Sequence, residues 1–234
     1  MLETEKSGMK KSVESSRVPI ETFYSDPRYL DPEWLLEEWT PSFRKSKRAF
    51  DLVIAVPALI ISIPFLIVIG ILIRLDSPGP VLYSQRRIGR DGDRFTIYKL
   101  RSMSNDAESA GAKYAVVNDP RVTRIGRWLR KTRIDEIPQL WNVIRGEMSI
   151  IGPRPERPEN EQMLEDAIPG FHMRTVVQPG LTGWAQICAP YANTTDQSSK
   201  KLEFDVYYIR NASNRLDLQI AIRTLLVMAR LGGH

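Results

Sequence analysis

The stretch LVIAVPALIISIPFLIVIGILI, residues 52–73, decides the architecture, because it carries no charge and a single hydroxyl, Ser62. About 20 apolar residues suffice for a helix to cross ~30 Å of hydrocarbon, and a soluble helix of that length normally keeps a polar stripe. Membrane insertion therefore takes precedence over a buried core helix. A signal peptide fits worse, since the block begins at residue 52 and runs into Arg74 rather than a small-residue cleavage site. Pro57 and Pro64 each remove a backbone donor and crowd the preceding turn, so a bend is expected near the middle. Arg44, Lys45, Lys47 and Arg48 precede the block, and Arg74, Arg86, Arg87 and Arg90 follow it. The positive-inside rule then votes equally for both ends. A hairpin that enters and leaves by one leaflet satisfies that vote, with the Ser62 hydroxyl as a partner for carbonyls freed at the kink. A kinked span is the alternative.

Outward from the block, 234 residues leave room for one ordinary domain. One cysteine, Cys188, permits no internal disulfide and fits a reducing compartment; two histidines, His172 and His234, permit no His- or Cys-rich zinc site. The net charge of +5 calls for an anionic partner: nucleic acid, an anionic membrane or a phosphorylated substrate. Residues 1–43 hold five basic and nine acidic residues and four prolines, and read as a loosely ordered acidic arm. Within it a short helix is expected at 31–39, with Asp31 as N-cap and Pro32 at the first position. Residues 44–75 are expected to form the membrane hairpin and 76–234 a separate domain beside it. There, strands are expected at 81–84 and 95–99 around a turn at 89–93, and helices at 123–130 and 137–145. Over 215–231 an amphipathic helix places Arg215, Gln219, Arg223 and Arg230 on one stripe and Ile220, Leu225, Met228 and Leu231 elsewhere. It reads equally as a packed surface helix or as one lying in the membrane interface with arginines toward headgroups. The fold class is α+β, mainly helical.

The chemistry concentrates after residue 120. Six basic residues (Arg121, Arg124, Arg127, Arg130, Lys131, Arg133) and no acid lead directly into Asp135 and Glu136. Carboxylates among fixed cations should stay ionised, available as a nucleophile or magnesium ligand. The start of the helix at 137–145, with Pro138 in its first turn, adds unpaired N–H groups that suit a phosphate. The bland alternative is a helix cap and an ion pair. Arg154, between Pro153 and Pro155, presents a guanidinium at low entropic cost; Lys99 and Arg101, at the end of an apolar strand, form a further anion contact. Phosphate-loop, dinucleotide and paired-cysteine motifs are missing, so those mechanisms lack their parts.

From about Lys47 to Gly232 the chain resembles the bacterial sugar transferase family, the monotopic phosphoglycosyl transferases. The resemblance rests on Lys47-Arg48-Ala49-Phe50-Asp51, Asp76-Ser77-Pro78-Gly79-Pro80, residues 97–103, 135–142, 152–156 and 179–184, and Asp205-Val206-Tyr207-Tyr208. It implies a re-entrant helix-break-helix with Ser62 and Pro64 at the hinge, a small cytosolic catalytic domain on the bacterial inner membrane, and Mg2+ held by Asp135 and Glu136. The implied reaction moves a sugar-1-phosphate from a nucleotide-sugar, expected to be a UDP-sugar, to polyprenyl (undecaprenyl) phosphate. Asp135 is then the nucleophile that carries the phosphosugar, Glu136 its partner, and Lys99, Arg130 and Arg154 contacts to phosphate. Exopolysaccharide or glycoconjugate synthesis would start there. The chain departs from the family pattern at Ser62-Ile63-Pro64, where a Ser-Pro pair is common, and at Gln178, where a basic residue commonly precedes Pro-Gly. At the second position Arg174 is the nearby alternative for phosphate contact. Residues 189–199 are the expected place for sugar selection. The competing reading is a membrane-anchored basic module that holds nucleic acid or anionic lipid without making a bond; the transferase reading expects no nucleic acid, and a homo-oligomer is compatible with it.

Overall fold

Asp31 caps the first helix, α1 (Pro32–Leu35), its carboxylate accepting from the Glu33 N–H at 2.9 Å, as the Asp-Pro pair predicts. The computed structural model describes residues 27–107, 119–188 and 194–229. Its first described stretch corrects the acidic arm. Tyr29, Leu35, Trp39 and Phe43 are buried in the main core, and the Trp39 indole donates to the Ile209 carbonyl at 2.8 Å. Aromatic side chains of this size bury too much apolar area to stay loose, so the packed domain begins well before residue 44.

The apolar block lies within one helix, α2 (Pro41–Asp76), capped by Thr40. At 36 residues it is ~54 Å long. Its most apolar 18-residue window has a mean hydropathy of 3.0 and is only 17% buried. Both prolines lie inside it and neither interrupts it, so the expected break is no gap in the helix. Pro64 deprives the Ile60 carbonyl of its donor, but the Ser62 hydroxyl donates to Leu59 O at 2.8 Å, one residue short. The hinge role expected of Ser62 is therefore not visible in its bonding.

Both ends of α2 rest on the same domain. At the start, Lys47 pairs with Asp217 at 2.9 Å, Arg48 donates to Val143 O and Ile144 O, and Asp51 accepts from Ser149 Oγ and the Ile150 N–H. At the far end, Ile69 and Ile73 pack with Leu100 and Leu129 in a second apolar cluster. Between the two, Ile60, Ile61, Phe65, Ile67 and Val68 are exposed.

After α2 comes an antiparallel hairpin, β1 (Leu82–Ile88) and β2 (Arg94–Leu100), with Leu82 opposite Leu100 and a left-handed Asp91 in the turn. Next is α3 (Arg124–Thr132), capped by Thr123. The single helix expected at 137–145 is instead a 3-10 helix, Ile134–Gln139, followed by a six-residue α4 (Leu140–Arg145) that Gly146 ends at φ 80. Pro138 explains the split, because it removes a donor in mid-segment. Asn142, fully buried, ties α4 to β2 by donating to Thr96 O at 2.7 Å.

The strand β3 (Ser149–Ile151) pairs in parallel with β4 (Gly180–Thr182), across a crossover containing α5 (Pro158–Ala167) and a 3-10 turn, Phe171–Thr175. The chain then forms α6 (Trp184–Cys188), α7 (Thr195–Arg210) behind a Thr194–Gln197 capping box, and α8 (Asn214–Ala229). In α8 the predicted stripes are rearranged: Ile220 is fully buried and the Arg223 guanidinium stacks over Trp184, while Leu218, Ile222, Leu225 and Leu226 are exposed. The outward face is thus apolar. Arg230, Leu231 and His234, and residues 189–193 of the expected sugar-selecting segment, lie outside the described residues.

Candidate active site

The last turn of α3 sets the geometry. Arg133 closes it in the left-handed region at φ 60, its N–H returning to Arg130 O, and the chain turns at once into the 3-10 helix whose first turn holds Asp135 and Glu136. A left-handed arginine costs of order 1 kcal/mol, strain that native folds retain mainly at functional positions.

Both carboxylates are buried, and their surroundings drive them apart. Glu136 accepts from Lys99 Nζ, delivered by β2, at 2.8 Å and from both terminal nitrogens of Arg154. Burial alone would raise its pKa, but the charges and hydrogen bonds of Arg154 and Lys99 prevail and hold it well below the usual carboxylate range. Asp135 behaves oppositely. Burial, then the neighbouring Glu136 charge, push it up to about 6, and Lys99, Arg130 and Arg133 offset this only in part. The expected cationic stabilisation is present, yet desolvation exceeds it. Asp135 still remains mostly ionised at neutral pH, and its Oδ1 is buried without a hydrogen-bond partner. One acid is locked and the other holds an unspent oxygen; such a split assigns different tasks to the two.

Arg154 is held by its backbone. Four consecutive carbonyls are each taken by a different donor: Pro153 O by the Gly180 N–H at 2.8 Å, Arg154 O by Arg174 at 2.6 Å, Pro155 O by Arg87 at 2.9 Å and Glu156 O by the Ile88 N–H at 3.0 Å. The close pairing of β3 and β4 needs glycine, since a Cβ on Gly180 would sit 2.1 Å from Gly152 N. Behind the loop, Glu156 pairs with Lys201 at 2.6 Å and Arg174 at 3.3 Å, and Arg174 reaches the fully buried Asp205 at 2.8 Å. Burial would raise Glu156, but Lys201 and Arg174 hold it down at about 2. Arg174, itself buried and stacked on Phe171, is thus no phosphate contact; its donors are spent inside. Nothing in the spacing of residues 156, 174, 201 and 205 announces this cluster, because three separate elements contribute it.

Of the residues expected to bind substrate, Lys99 and Arg154 join the dyad directly. Arg130 stays beside it, its Nε donating to Ser102 Oγ at 3.2 Å while its charge acts on Asp135. Two expectations are corrected. Arg101 is buried and points the other way, closing the end of α2 by donating to Pro78 O and Ser77 O at 2.9 and 2.6 Å. Gln178 lies on the wall of a separate cavity with Trp39, Arg44 and Arg48.

Among the described residues no group of three or more His, Cys, Asp or Glu side chains gathers to hold a metal. Magnesium needs fewer, since it commonly takes one or two carboxylates and completes its octahedron with water and substrate phosphate. The orphaned Asp135 oxygen beside Glu136 fits that requirement.

Residues 42–231 match the family described as Bacterial sugar transferase. A UDP-N-acetylgalactosamine-undecaprenyl-phosphate N-acetylgalactosaminephosphotransferase of Aeromonas hydrophila is 43% identical over 186 residues, covering 80% of this chain and 44% of that protein. An undecaprenyl-phosphate glucose phosphotransferase of Komagataeibacter xylinus is 43% identical over 196 residues, covering 81% and 36%. The exopolysaccharide production protein PSS of Rhizobium leguminosarum bv. phaseoli is 41% identical over 187 residues, covering 77% and 93%. The chain thus spans less than half the length of the first two relatives and most of the third. With the Asp-Glu dyad and the pinned Arg154 inside the matched region, the chain belongs to the bacterial sugar transferase family.

Proposed function

We propose that this chain transfers a sugar-1-phosphate from a UDP-hexose or UDP-N-acetylhexosamine to undecaprenyl phosphate on the inner face of the bacterial cytoplasmic membrane. The observation that carries the reading is the split dyad: a Glu136 locked by Lys99 and Arg154 beside an Asp135 with an unspent, buried oxygen. An Asp135 oxygen attacks the sugar-bearing phosphorus, the bond to the bridging oxygen breaks, and that oxygen leaves on the nucleoside monophosphate with the electron pair. An oxygen of the lipid phosphate then attacks the same phosphorus, and the Asp135 carboxylate returns as the aspartyl-phosphate bond breaks. Two displacements replace one difficult step, and neither needs a proton from the protein. Lys99, Arg130 and Arg154 face the diphosphate, and Glu136 keeps Lys99 and Arg154 in place. Magnesium would be held chiefly by the unspent Asp135 oxygen, with Glu136 beside it, and would supply neutralisation of the diphosphate charge.

The membrane placement in this reading is re-entrant. A straight crossing would put the Lys47–Asp217 end and the Ile73–Leu129 end of α2 on opposite sides of ~30 Å of hydrocarbon, although one domain contacts both. Entry and return through one leaflet reconcile those contacts with the exposed apolar residues between them. The outward apolar face of α8 and the half-exposed Trp128 and Trp141 suit the same interface.

The test is transfer in detergent or nanodiscs with a panel of nucleotide-sugars, undecaprenyl phosphate and magnesium. A product lipid with one donor class, lost on chelation, supports the reading. Binding of nucleic acid that weakens steeply with salt, with no product from any donor, would favour the non-catalytic basic module.

A further inference from the structure

A cavity of about 190 Å³ opens beside the start of α2, and none of its lining residues belongs to the Asp135 cluster. Its wall is basic but unevenly so. Lys47 is spent on Asp217, and Arg48 on two carbonyls of α4. Asp51, the acid in the lining, is satisfied by Ser149 and Ile150. Arg44 uses only Nε, on Trp39 O, and Arg90 makes an exposed ion pair with Asp91 through Nε at 2.9 Å. Among the described residues, the terminal nitrogens of Arg44 and Arg90 therefore make no hydrogen bond. Gln178 adds an amide, and Trp39, Met148 and Val177 give the remaining wall apolar character.

Depth selects the ligand. At 1.5 Å per residue, Arg48 and Arg44 stand ~6 and ~12 Å before Leu52 along the helix axis, and each headgroup layer is roughly 5–8 Å thick. A helix that enters re-entrantly is tilted, so depth from Leu52 is less than distance along its axis: on that reading the Arg48 side of the cavity lies in the headgroup layer and Arg44 at its outer margin. We propose that it binds the phosphate of an anionic membrane lipid, with Arg44 and Arg90 donating to the phosphate oxygens and the apolar wall taking the glycerol carbons. The inference depends on α2 entering lipid and not on the transfer reaction, and its readout uses no turnover.

The experiment is native mass spectrometry of the full chain released from nanodiscs of equal phosphatidylglycerol and phosphatidylcholine. The wild type should retain one phosphatidylglycerol. Arg44→Gln with Arg90→Gln should lower that retention roughly 100-fold, from about tenfold per lost hydrogen bond to a charged group. Lys45→Gln with Arg86→Gln removes the same charge outside the cavity and should leave retention unchanged; Gln178→Glu, which adds a negative charge to the wall, should lower it. Equal loss in both double variants would reduce the site to diffuse attraction and overturn the proposal. So would equal retention of phosphatidylcholine. Displacement by excess inorganic phosphate would make this a soluble-phosphate site, and one-for-one displacement by undecaprenyl phosphate an acceptor subsite; either contradicts the lipid assignment.

Discussion

Removing Arg174 separates holding the fold from holding Arg154. The side chain is buried, donates to Glu156 and the Arg154 carbonyl, and ion-pairs with Asp205. Arg174→Met leaves Asp205, 1% exposed, without its arginine partner, and breaking one side of a buried pair costs roughly 3–5 kcal/mol. Adding Asp205→Leu removes the stranded charge, and replacing both partners by apolar groups is commonly near neutral, so most of the loss should return. The Arg154 carbonyl, however, remains released in both variants. Its loop then keeps three of its four carbonyl contacts, and a shift near 1 Å at Arg154 is enough to slow transfer up to about 100-fold. Thermal unfolding in detergent reads the first quantity, and initial rates at saturating and limiting donor read the second. A double variant with restored stability and wild-type rates would refute the positioning argument and leave Arg174 a purely structural residue.

Trp39→Ala should destabilise by about 3–5 kcal/mol, through lost packing and the lost indole bond to Ile209; a shift below ~1 kcal/mol in chemical unfolding would restore the loose-arm reading. Glu156 titrates at about 2 in the fold against an ordinary 4.5, so its contribution is present above pH 4.5 and is lost as pH falls toward 2. At about 1.4 kcal/mol per unit that is on the order of 3 kcal/mol, and Glu156→Gln should flatten the fall in unfolding temperature over that window. Cysteines placed at Lys45 and Leu75 should both label from the cytoplasm in whole cells, and periplasmic labelling of either would contradict re-entry.

The legible parts of this fold are those with a local cause. Asp31-Pro32, Thr123 and Gly146 mark helix boundaries that the structure reproduces, and the uncharged run at 52–73 marks the long, largely unburied apolar helix α2. Glu136, Lys99 and Arg154 were legible as chemistry because their motifs stand out, although only the fold brings residues 99, 136 and 154 together. What sequence could not supply is direction. Lys99 lies inside β2 and Arg101 just past its end, so the rule that puts residues i and i+2 of a strand on one face does not hold for this pair, and neighbouring signals end on opposite tasks, one on Glu136 and the other on the end of α2. Nor does composition reveal desolvation: six cations ahead of Asp135 argue for a low pKa, and burial reverses the sign. The Tyr29–Trp39 segment was misread for a related reason, since its acids dominate the composition while three large side chains determine where it packs.

The central claim is that Asp135 carries the phosphosugar, and intact-protein mass tests it most directly. The full chain, purified with magnesium and a panel of nucleotide-sugars but no lipid acceptor, should gain one sugar-phosphate with its true donor. That adduct should be absent in Asp135→Asn and discharged on addition of undecaprenyl phosphate. No adduct with any donor, together with full turnover once lipid is present, would mean direct displacement and would contradict the account.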